Sequence, residues 1–167
     1  MSALVFVDAN VFIYAFASGE PLKSRRCKDW LALLWEQRRG RTGIQVVSET
    51  YATLTRKYHV PADKAWGDLS SVLSWSPQPV DREVLHGARE IEARYRLSWW
   101  DSLIVAAAQL QSCGVLLTED LQDGEIFGAL RVVNPFLHEI REPAAPYVVA
   151  SAPVVHRPRG RPRRAYA

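Results

Sequence analysis

Apolar and polar positions fall in blocks whose periods alternate between strand and helix. Ala3 to Val7 is wholly apolar and stops at Asp8, the pattern of a strand buried on both faces of a parallel sheet. Asn10 to Ala17 reads as a short helix. After the Gly19, Glu20, Pro21 break, a longer helix runs through Trp30, Leu31, Leu34 and Trp35 to Arg39, with Trp30 and Trp35 on its apolar face. Gly40 to Gly43 is expected to turn, Ile44 to Val47 to form a second buried strand, and Ser48 to cap a helix reaching Tyr58. Pro61 opens another helix to about Trp75. Ser76 to Val80, interrupted by prolines, can be no more than a short edge strand. In Asp81 to Arg96, Val84, Ala88, Ile91 and Tyr95 share one face at helical spacing. Ser98 opens a helix whose stretch from Leu103 to Leu110 is almost entirely apolar, so it belongs in the centre of the fold. Val115 to Thr118 is a third strong strand, Glu119 to Gly128 an acidic turn, and Leu130 to Val133 a last strand.

Strands alternating with helices predict an α/β sandwich with a mainly parallel sheet. A length of 167 residues and a hydrophobic fraction of 48% fit one compact domain, expected over residues 1–142, followed by an extended arm and tail over 143–167. The apolar runs are too short to cross a bilayer, and the opening residues lack a basic leader, so a cytoplasmic protein is expected. Cys27 and Cys113 are too few for a disulfide framework and read as small buried hydrophobes. Charge changes the picture at one end. From Pro143 onward there is no acid, while Arg157, Arg159, Arg161, Arg163 and Arg164 are all basic. Without those five, 16 bases face 18 acids, so the basicity belongs to the tail.

The acids have their own pattern. Asp8 ends the first strand, Glu49 follows the expected second, Asp101 lies in the first turn of the central helix, Asp120 follows the third strong strand, and Asp123 comes three residues later. In an open parallel sheet these places share the edge where ligands bind. Singly, each has a structural explanation: caps at Asp8 and Asp120, a first-turn charge at Glu49, a capping box at Ser98 and Asp101, a turn at Asp123 and Gly124. Jointly they would repel one another unless a cation neutralised them. Oxygen donors without His or Cys point to Mg²⁺ or Mn²⁺, and such a site suits phosphodiester hydrolysis.

These residues resemble the PIN-domain ribonucleases, and within them the VapC-type toxins of toxin–antitoxin pairs. The matching pieces are LVFVDANVFIYAF (Leu4 to Phe16), VVSETYATLTRKY (Val46 to Tyr58), LSWWDSLIVAAAQL (Leu97 to Leu110) and VLLTEDLQDGEIFG (Val115 to Gly128). The resemblance implies a PIN-like α/β/α sandwich and a metal-dependent endoribonuclease. Asp8, Glu49, Asp101 and Asp120 would be its catalytic acids. Asp8, Asp101, Asp120 and Asp123 would be metal ligands, with Asn10 orienting Asp8 and Thr118 supporting the site. It further implies a homodimer and an antitoxin whose C-terminal segment covers the acidic groove.

An RNA substrate needs positive charge nearby, for which Arg25, Arg26, Lys28, Arg38, Arg39, Arg41, Arg56 and Lys57 are candidates. Trp99 and Trp100 flank Asp101; packing against the sheet is the expected role, and base stacking the alternative. The run from Arg157 to Arg164 resembles the AT-hook, an element that enters the minor groove of A·T-rich DNA. A nonspecific basic arm for RNA or an acidic partner stays open beside DNA contact. Two rival functions stand against the nuclease. One is an inert PIN-like module binding nucleic acid or protein through the tail. The other is a phosphotransferase using Asp8 as nucleophile, which Asn10 disfavours because that chemistry wants a second acid there.

Overall fold

A computed structural model describes residues 2–17 and 19–140. The expected arm from Pro143, and with it Arg157, Arg159, Arg161, Arg163 and Arg164, lies outside the described residues. Five strands, β1 (Val5–Val7), β2 (Gly40–Arg41), β3 (Val115–Leu117), β4 (Ile126–Phe127) and β5 (Leu130–Val133), form one sheet in the order β2-β1-β3-β5-β4. All neighbours run parallel except β4 and β5. Six helices flank it: α1 (Ala9–Phe16), α2 (Pro21–Glu36), α3 (Ile44–Arg56), α4 (Ala62–Val72), α5 (Arg82–Tyr95) and α6 (Trp99–Leu110). Among the described residues no helix is long and apolar enough to cross a membrane.

The core follows from composition. Every residue of β1 and β3 is buried, as expected for strands covered on both faces. Helix α6 buries seven consecutive residues from Ser102 to Ala108, so it is apolar all round. It packs against the Val84, Ala88, Ile91 face of α5, where the missing side chain of Gly87 lets the helices close; a Cβ there would already touch Ala106 Cβ at 3.4 Å. Cys27 and Cys113 are free and buried, and burial pushes both thiols up to about 12.

The region after α2 departs from expectation. Ile44 to Val47 is the start of α3, not a strand, and Gly43 stands at its N-cap while Ser48 lies inside the helix. The β-branched run fits either period, but Val46, Val47, Thr50 and Leu54 are buried together at helical spacing. The second strand is the expected turn itself: Gly40 and Arg41 pair with Val5 and Phe6 through backbone alone. In Ser76 to Val80 the extended segment makes one parallel bridge, Gln78 to Gly43. Ile126–Phe127, expected as part of a turn, folds back antiparallel on β5.

Candidate metal-dependent active site

Strand register builds the site. Val7 pairs with Leu117, so the next residues, Asp8 and Thr118, emerge side by side at the carboxyl ends of β1 and β3, and the Asp8 N–H donates to the Leu117 carbonyl at 3.1 Å. Asp8 caps α1, one carboxylate oxygen accepting the Ala9 N–H at 2.7 Å; the other accepts the Thr118 hydroxyl at 2.8 Å. That hydroxyl also accepts the Asp120 N–H at 3.1 Å and the Asn10 side-chain amide at 2.8 Å. Asn10 Nδ2 further donates to Asp120 Oδ2 at 2.9 Å. Thr118 is fully buried, so the network sits on a fixed floor.

Two more carboxylates arrive from helices. Asp101 is in the first turn of α6, its N–H bonded to the Ser98 hydroxyl at 3.1 Å while that hydroxyl donates to Asp101 Oδ2 at 2.6 Å. Glu49 is exposed, and its place inside α3 aims it at the same edge. Electrostatics links the four. Lost solvation first, and then the charges of Asp120 and Glu49, push Asp8 up to about 7 against the pull of Ala9 and Thr118. Glu49 is raised by lost solvation and by the charges of Asp120 and Asp101.

Asp123 does not join them. Its carboxylate accepts the Asn134 N–H at 2.8 Å and faces His138 Nε2 at 2.9 Å from both oxygens. Although lost solvation pushes upward, Asn134 and His138 hold Asp123 below the usual carboxylate range. The expected ligand therefore ties down the chain beyond β5. Nothing in the sequence marks His138 as its partner. The sequence reading also missed the group beside Asp120: Lys23 Nζ donates to Glu119 at 3.1 Å and to the Tyr14 hydroxyl at 3.0 Å, anchoring the loop that carries Asp120 to α1 and α2. Tyr14 is raised, chiefly by its bond to Glu119, and Lys23 is raised by Tyr14 and Glu119. The adjacency of Glu119 to Asp120 was the available signal.

Of the basic candidates, Arg39 is buried, so it is not a solvated contact. Trp30 is core, as expected; Trp35 is half exposed, contrary to its apparent place on an apolar face. Trp99 packs against the core, the expected role, while Trp100 is 67% exposed beside Asp101.

The donor set fits a hard cation. It is all oxygen, neighbouring negative charges raise Asp8 and Glu49, and among the described residues Asn10 Oδ1 is buried without a hydrogen-bond partner. Among the described residues no group of three or more His, Cys, Asp or Glu side chains is placed to hold a metal ion. An ion such as Mg²⁺ keeps several of its waters and can reach carboxylates through them, so it needs no such preassembled group.

The PIN domain profile matches residues 5–122. The chain belongs to the PIN domain family. Its fold is shared with a toxin–antitoxin complex from Klebsiella pneumoniae, at 20% identity and a TM-score of 0.55, over 78% of this chain and 97% of that one. It is shared too with VapC20 of Mycobacterium tuberculosis, described as a sarcin–ricin loop cleaving toxin, at 18% identity and a TM-score of 0.53, over 67% and 86% of the chains. A third similar structure is VapBC2 of Rickettsia felis, bound to a promoter DNA fragment, at 14% identity and a TM-score of 0.56, over 77% and 96%. No curated protein matches the chain in sequence.

Proposed function

We propose that this PIN-domain protein is a metal-dependent endoribonuclease, a VapC-type toxin held in check by a cognate antitoxin. The observation that carries this reading is the gathering of Asp8, Glu49, Asp101 and Asp120 at one sheet edge, where the charges of Asp120 and Glu49 act on Asp8 and those of Asp120 and Asp101 act on Glu49. Asp8, Asp101 and Asp120 would hold Mg²⁺ or Mn²⁺. When bound, the ion supplies an activated water and offsets charge on the scissile phosphate, which carboxylates alone would repel. Thr118 and Asn10 hold Asp8 and Asp120 in place. Glu49, exposed and raised, serves as proton acceptor at its carboxylate.

The fold shared with an RNA-cleaving toxin and with toxin–antitoxin complexes supports the substrate and the partner. In this reading the protein is a cytoplasmic homodimer, and the arginines of the tail add affinity for nucleic acid. RNA cleavage is measured with Mg²⁺, Mn²⁺ and EDTA, on the wild type and on Asp101→Asn. Metal-dependent cleavage lost in the folded variant supports the proposal; no cleavage under any metal condition leaves the inert binding module. Removing residues from Val154 onward is expected to weaken RNA binding and its salt dependence while cleavage continues.

A further inference from the structure

At the other end of β1 the molecule carries a second cleft, of about 490 Å³, lined by Trp35 and Trp75, Arg38 and Arg41, and Ser74 and Ser76. Gly40, which pairs with Val5, also lines it; Asp8 lies three residues farther along β1, so roughly 10 Å of strand separates the two levels. No acidic and no aliphatic side chain stands among the described residues of the lining.

The cleft is built rather than incidental. Trp35, 50% exposed, lies 6.1 Å from Trp75, which lies 6.0 Å from Phe12, itself fully buried. This chain of rings roots the outer indole in the core. Gly40 makes room for it: a Cβ there would come within 2.4 Å of the Trp75 ring. Arg38 occupies a left-handed conformation, φ 54°, at the end of α2, where glycine would stand without strain. Arg41 Nη1 donates to the Gly40 carbonyl at 2.8 Å, which fixes its guanidinium at the cleft wall. Between them in sequence, Arg39 is 6% exposed, and none of its three guanidinium nitrogens has a hydrogen-bond partner among the described residues. Arg39 does not line the cleft, but its buried charge adds to the field of Arg38 and Arg41, which do line it and favour an anion.

We infer that this cleft is a second binding site for single-stranded RNA, with a base stacked on Trp35 and phosphate held by Arg38 and Arg41. An exposed π face beside paired guanidinium groups is what a nucleotide needs. An acidic peptide would find no aliphatic wall for its side chains. The inference rests on the part of the proposed function that makes RNA the ligand, and not on its cleavage.

The test uses the full chain in EDTA, so that binding is read without turnover, with a fluorescent single-stranded RNA of twelve nucleotides followed by anisotropy. The double variant Arg38→Gln, Arg41→Gln is expected to bind at least tenfold more weakly, with the salt slope reduced by roughly 1.4, as for two lost phosphate contacts on a single strand. Trp35→Leu is expected to lose about fivefold or more, and Trp35→Phe to restore most of it. With 4-thiouridine RNA, the photoadduct is expected on the peptide containing Trp35. Affinities within twofold of the wild type in the folded double variant, or competition by poly-glutamate that RNA does not match, would overturn the site. Cleavage that persists while these variants bind normally sinks this site alone; binding through the cleft by a chain that never cuts RNA sinks only the nuclease.

Discussion

Asp8 and Asp123 stand at the same edge of the same sheet, one beyond β1 and the other bonded to Asn134 beyond β5, with β3 between those strands. Their neighbours separate them. Asp123 has a backbone N–H and the His138 ring on its carboxylate and is held low. Asp8 has two donors as well, but it faces Asp120 and Glu49 and is pushed up to about 7. A carboxylate already paired with a backbone N–H and an imidazole gains little from a cation, whereas one left among like charges is relieved by a proton or a cation.

Breaking each in turn gives the largest contrast in activity. Asp8→Asn is expected to reduce RNA cleavage in Mg²⁺ by about 100-fold or more, because the proposed activating ion would lose a ligand. Asp123→Asn should stay within about threefold of the wild type under the same conditions; an equal loss in both would return Asp123 to the metal site.

Stability should move in opposite directions. Because the folded Asp8 pKa lies above its unfolded value of 3.8, the native state binds the extra proton, and the Asp8 contribution to stability declines as pH rises from about 4 to about 7. Without metal at pH 8, Asp8→Asn is therefore expected to stabilise the fold by about 2 kcal/mol, read by denaturant or thermal unfolding. Adding Mg²⁺ should raise the wild-type melting temperature and leave that of Asp8→Asn nearly unchanged. Asp123 behaves the other way: its lowered pKa favours folding above the unfolded value and loses that contribution as pH falls through the folded one. Asp123→Asn should cost about 0.5–1 kcal/mol at neutral pH, the smallest of these effects, and the cost should shrink in acid.

Much of this contrast was legible in the residues. The buried strands β1 and β3 were, since nothing but apolar side chains fills them, and their ends located Asp8 and Asp120. Asp101 was legible through its capping box with Ser98. Glu49 was assigned to the correct edge from an incorrect local structure, because a carboxylate after a strand and one inside α3 reach the same place here. Two-residue strands such as β2 and β4 carry no apolar period to detect; their pairing is a backbone matter decided by the neighbouring strand. Asp123 could not be separated from its companions either, as the same turn chemistry accompanies it and its neutralising partner lies fifteen residues downstream. Trp35 shows the converse failure. Its helical position looked internal, but the ring ends an aromatic chain that leads out of the core.

The Thr118 hydroxyl has one hydrogen to give and two lone pairs to offer, and all three are spent, on Asp8, Asn10 and Asp120. Valine has nearly the same shape and would keep the strand packed, yet Thr118→Val would take a partner from Asp8 and from the Asp120 N–H at once and leave Asn10 only its bond to Asp120. An uncharged side chain thereby acts as the keystone of an ionic arch: it touches no substrate, but its removal would loosen two acids at once.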